Sequence, residues 1–69
     1  MFSVIRVRSA DNKDDGREVI GVAETRENAI AIIDGELARF TTAGKNEQHD
    51  YWWGRNDDGF LYRFFVEGV

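Results

Sequence analysis

Tyr51-Trp52-Trp53-Gly54-Arg55-Asn56-Asp57-Asp58-Gly59-Phe60-Leu61-Tyr62-Arg63-Phe64-Phe65-Val66-Glu67 contains two aromatic runs separated by a turn sequence. Asp-Gly between alternating apolar runs is a strong short-range hairpin signal, so strands are expected over 51–55 and 60–67. In the second strand Phe60, Tyr62, Phe64 and Val66 share one face, and Leu61, Arg63, Phe65 and Glu67 share the other. Two registers fit. A two-residue Asp58-Gly59 turn sets Trp53 opposite Phe64 and Trp52 opposite Phe65. A three-residue turn with Gly59 left-handed shifts the pairing by one.

Upstream, Thr25 reads as a helix N-cap and Glu27 places an acid in the first turn. Ala29, Ile30, Ile33, Leu37 and Phe40 fall within about 100° on a helical wheel, a core-facing stripe. Ile32 lies outside it and is expected to touch a loop or a partner. Gly44 reads as the C-terminal stop, which gives a helix over 26–43. Lys45 to Asp50 then form a polar connection.

At the start of the chain, Phe2 to Arg8 is rich in β-branched residues and reads as a strand. Ser3, Ile5 and Val7 occupy one face, and Phe2, Val4, Arg6 and Arg8 the other. A polar loop from Ala10 to Gly16 leads to a second strand over 18–23, in which Gly21 marks a bulge or a close backbone approach. The sum is an α+β domain of ββαββ order, with one helix packed on a four-stranded, mainly antiparallel sheet. Phe64 and Ile33 are expected in its core.

The chain has 69 residues, room for one domain, 1–69. At this size only about 60% of the unfolded surface is hidden on folding. All aromatic residues except Phe2 and Phe40 fall between Tyr51 and Phe65, and these rings are the main resource for a core. Oligomerisation is a second route to stability, and a homodimer stays open. There is no Cys and one His, which excludes disulfides, thiolate zinc sites and a multi-histidine metal site within one chain. No apolar run is long enough to span a bilayer, and no signal-peptide layout is present, so a cytoplasmic protein with no membrane partner is expected.

The candidate catalytic features are sparse. His49 lies beside Asp50 in a polar connection, and Ser3 and Ser9 sit at the far end of the chain without a neighbouring base. The glycines are too widely spaced for a phosphate loop. The loop from Asp11 to Gly16 departs from a calcium loop at Lys13 and Val22, where oxygen ligands are required. Trp53-Gly54-Arg55 is the signature tripeptide of the WGR domain, but that family sets a helix after it, whereas here the only expected helix precedes it. The tripeptide therefore reads as a strand with Gly54 at a bulge. No enzyme, no cofactor and no metal are expected.

Two binding readings remain. In the first, the chain is a small acidic protein-binding module whose contacts come from Asp14, Asp15, Asp57, Asp58, Trp52, Arg55 and Arg63. Trp, Tyr and Arg dominate interface hot spots, and spaced carboxylates compete with phosphates for a basic groove. If both Asp-Asp-Gly turns fall at the same end of the sheet, their charges add to one negative patch. In the second reading, Arg6, Arg8, Arg55 and Arg63 with the Trp pair bind single-stranded nucleic acid by stacking and charge. The net charge of −4 weighs against it.

In size, charge and layout the chain resembles the small acidic inhibitors encoded by phages and mobile elements, including the anti-CRISPR type. The features that carry this are the strand from Phe2, the helix capped by Thr25, the hairpin through Asp58-Gly59 and the acidic loops. The resemblance implies a non-enzymatic inhibitor that blocks a nucleic-acid-binding surface of a host protein complex. It assigns no individual residue.

Overall fold

The computed structural model describes residues 1–10 and 13–68, with the side chain of Asp15 left aside. Its elements are β1 (Phe2–Ala10), β2 (Lys13–Ala23), α1 (Arg26–Leu37), β3 (Thr42–Asn46), β4 (Tyr51–Arg55) and β5 (Leu61–Gly68). The strands form one five-stranded sheet in the order β2-β1-β5-β4-β3, antiparallel at every pairing. The fold is thus α+β with a single helix among the described residues, but its order is ββαβββ. The four-strand expectation is corrected by β3.

Phe2 and Val4 of β1, Trp52 of β4, and Phe64 and Val66 of β5 meet Ala29 and Ile33 of α1 in the core. Phe64 and Ile33 are fully buried, as the sequence pattern requires. Thr25 caps the helix, its Oγ1 accepting from the Asn28 amide at 3.1 Å. The helix ends at Leu37 rather than at 43. The amides of Arg39 and Phe40 reach back three residues, to the Glu36 and Leu37 carbonyls, and tighten the exit turn. Phe40 keeps its place at the core from this turn, with its ring 6.0 Å from that of Phe64. Gly44 lies inside β3 and does not stop the helix.

Three glycines are explained by what crosses them. Ile32 packs on Gly21 of β2, which is the contact left open by its place outside the helical stripe. Gly54 lies in an unbroken register on both sides, so it is not at a bulge. A Cβ there would overlap the ring of Phe40. A Cβ on Gly44 would come within 2.9 Å of the Trp53 indole, its cross-strand partner. β3 therefore exists without an apolar alternation of its own, because its backbone completes the ladder of β4 and its glycine admits the Trp53 ring.

The register of β4 and β5 is the shifted one. Trp52 faces Phe64 and Trp53 faces Arg63, with Gly59 at φ +86° in the turn. Asp58 accepts from the Phe60 amide at 3.0 Å, and this closes the turn. In β2 the register shifts twice against β1, leaving Ile20 and Asp15 as the extra residues. Most of the expected loop over 10–16 belongs to strands, with Ala10 opposite Lys13. Asp11 and Asn12, the first positions of the calcium reading, lie outside the described residues.

Candidate functional site: the helix-free face of the sheet

The helix covers one face of the sheet. The other face is built by the alternate residues of each strand. Its rows are Val22-Ser3-Glu67, Val19-Ile5-Phe65, Arg17-Val7-Arg63-Trp53-Gly44 and Ser9-Leu61-Arg55-Thr42. Tyr51 joins the Phe65 row, with ring centroids 5.4 Å apart. Ile5 and Val7 are buried although no helix lies over them. Val7 sits between Arg17 and Arg63, whose stems screen it while their heads are held by Glu67 and Asp14. Toward the β2 edge the screening stops, and Val19 and Val22 are 56% and 54% exposed.

The most organised polar group on this face links Ser9, Asp14 and Arg63. The Ser9 hydroxyl donates to Asp14 Oδ1 at 2.7 Å and accepts from Arg63 Nη2 at 3.3 Å. Arg63 Nη2 also pairs with Asp14 Oδ1. The hydroxyl bond, followed by the guanidinium, holds the Asp14 carboxyl below its ordinary 3.8, against a smaller opposing effect of desolvation. Both Arg63 bonds leave through Nη2, and its Nε is buried with no acceptor.

Beside this network is a cleft of about 420 Å³ lined by Ser9, Ala10, Tyr51, Arg55, Gly59, Leu61 and Arg63. Register explains its position. Arg55 and Arg63 are diagonal neighbours across β4 and β5, with Leu61 directly opposite Arg55. Trp53, which precedes Arg55 by two residues and stands directly opposite Arg63, lies against Gly44 of β3. Arg55 is exposed and has no ion pair among the described residues.

The sequence-expected site residues separate into groups. Asp14, Arg55 and Arg63 come together on the helix-free face. Asp57 and Asp58 are exposed in the β4–β5 turn. That turn and the β1–β2 connection lie at the same end of the sheet, because Ser9 pairs with Leu61 and Leu61 with Arg55. Arg8, Lys13, Arg55 and Arg63 belong to the same end, so the acids there are interleaved with cations. The backbone of Asp15 is in β2, and its side chain lies outside the described residues. Trp52 is 6% exposed and packs under the helix, so its ring is a core group and Trp53 is the indole of the open face.

The four arginines of the nucleic-acid reading do not share a surface. Arg6 and Arg8 stand on the helix side, opposite Phe64 and Tyr62, with their guanidinium groups over the Tyr62 and Phe60 rings at 5.5 and 4.9 Å. Arg6 is also paired with Glu18. Arg55 and Arg63 are on the opposite side. His49 is exposed in the β3–β4 turn, its amide held by Asn46 Oδ1 at 3.0 Å. The Ser9 network and the cleft carried no signal in the sequence, because a bulge and a strand pairing bring their parts together.

Among the described residues no group of three or more His, Asp or Glu could hold a metal ion. Among the same residues no helix is long and apolar enough to cross a membrane. Compared with known protein families, curated proteins and solved structures, the chain matches none.

Proposed function

We propose that this chain is a small, non-enzymatic, cytoplasmic protein-binding module and that the helix-free face is its contact surface. One observation carries the reading. A sheet covered by a helix on one side only exposes Tyr51, Trp53 and Phe65 beside Arg55 and Arg63 on the other. Half-buried aromatic rings next to guanidinium groups are the composition of interface hot spots. The ion-paired Arg17 and Arg63 keep the centre of the face wet and compatible with a free monomer, as a reversible interface requires.

The finer reading is inhibition of the phage-encoded kind, by occupying a basic nucleic-acid-binding surface of a host protein complex. Its support is the β4–β5 turn, where Asp57 and Asp58 are exposed at the end of the open face that also holds Asp14 of β2. Carboxylates at a rim steer association with a basic partner.

The test is quantitative capture of a partner from the native host, with wild type compared against Trp53→Ala and against Asp34→Ala, an exposed position of α1 on the opposite side of the sheet, as the control. Loss of about 2 kcal/mol or more on Trp53→Ala, with Asp34→Ala near neutral, supports the reading. Equal capture by both variants overturns it. A second reading uses the same rings and Arg55 as a stacking platform for single-stranded nucleic acid. Oligonucleotide binding that weakens steeply with salt and is lost in Trp53→Ala would favour it.

A further inference from the structure

The cleft under the β4–β5 turn has a specific electrostatic character. Arg63 contributes little net charge, because Asp14 neutralises it. Arg55 contributes a full one, since no carboxylate among the described residues pairs with it. Among the described residues the cleft thus carries one uncompensated positive charge, in a chain whose net charge is −4. Its donors are partly pre-set. Ser9 and Asp14 anchor Arg63 through Nη2, and its Nε is buried without an acceptor, so Nη1 is the nitrogen left to meet a ligand. Leu61 and Tyr51 supply an apolar floor and wall.

We propose that this cleft binds a carboxylate carried by an acidic side chain of a partner polypeptide, with Arg55 and Arg63 as its two donors. The inference rests on the protein-binding reading above and names the group its partner must present. Charge selects the class of ligand. A carboxylate bears the single negative charge that Arg55 balances. A nucleic-acid strand brings successive phosphates toward Asp57 and Asp58 and toward a chain that repels them. Geometry agrees, because two guanidinium groups at diagonal positions can each offer N–H groups to one planar oxyanion. The volume of about 420 Å³ admits a side chain and its flanking backbone.

The test is an NMR titration of the full chain with N-acetyl-glutamate N-methylamide at millimolar concentration. The uncharged glutamine analogue, inorganic phosphate and a single-stranded deoxythymidine oligonucleotide serve as the other probes. The expected result is a saturable shift of the Leu61 and Arg63 amides and the Arg55 Nε–H with the glutamate probe only. Arg55→Ala should weaken that binding about tenfold or more, whereas Arg39→Ala, an exposed arginine outside the cleft, should leave it unchanged. Absence of saturation, an equal response to the glutamine analogue, or an equal loss in both arginine variants overturns the proposal. Tighter binding of phosphate or of the oligonucleotide overturns it as well. Against a captured partner, loss on Trp53→Ala with full binding by Arg55→Ala defeats this inference and leaves the broader reading standing. No loss on either defeats the broader reading itself.

Discussion

Asp14 and Arg63 are 49 residues apart in the chain and form an ion pair on the helix-free face, with Ser9 bonded to both. The pair ties β2 to β5 across the intervening β1.

This arrangement predicts an acid limb of stability. The Asp14 carboxyl titrates below its ordinary 3.8, chiefly because the Ser9 hydroxyl donates to it and then because Arg63 is adjacent. A carboxyl whose folded pKa is depressed stabilises the fold fully above its unfolded value and loses that contribution as pH falls through the folded value. Stability should therefore fall below pH 3.8 in wild type, and this part of the fall should be absent in Asp14→Asn. Ser9→Ala should raise the Asp14 pKa toward the ordinary value. Carboxyl-detected NMR titration checks both, and an unchanged Asp14 pKa in Ser9→Ala would refute the assignment.

Gly54 should tolerate no side chain while Phe40 is present. Gly54→Ala sets a methyl group into the Phe40 ring, and overpacking of this kind costs about 1–3 kcal/mol. The double variant Gly54→Ala, Phe40→Leu should recover part of that cost. Urea unfolding of the four members of the cycle measures the coupling, and strict additivity would show that the two residues do not meet.

Core and open-face positions should respond differently to truncation. Phe64→Ala should cost about 3–5 kcal/mol and leave little folded protein at this chain length. Val19→Ala, at an exposed position, should change stability by less than about 0.5 kcal/mol. Equal midpoints for the two variants in denaturant would contradict the assignment of faces.

Neutralising Asp14, Asp15, Asp57 and Asp58 to Asn should slow association with the partner, and the difference should shrink as salt is added. Asn keeps an acceptor oxygen for the Phe60 amide at position 58, so the turn should survive. Stopped-flow association at two ionic strengths measures the effect. Identical rates at low salt would remove these carboxylates from the interface and leave the aromatic face alone.

Single-residue and short-range signals in the sequence determined the elements that have strong local patterns. Thr25 specified the helix start, the 3.6-residue stripe specified the face that buries Ala29 and Ile33, and Asp58-Gly59 specified the last hairpin. The helix end and β3 were not legible. Thr42-Ala43-Gly44-Lys45-Asn46 has no apolar alternation, and its strand state comes from backbone bonds to β4 and from the Trp53 ring above Gly44. Register was likewise open, because either turn leaves aromatic residues on both faces. The tertiary structure decided that Trp52 is core and Trp53 surface. It also separated Arg6 and Arg8 from Arg55 and Arg63, and it brought Ser9, Asp14 and Arg63 together. The physical reason is the period of two in a strand. A shift of one residue exchanges the faces, and the packing of Phe64 and Phe40 under the helix selects between registers that local sequence leaves close in energy.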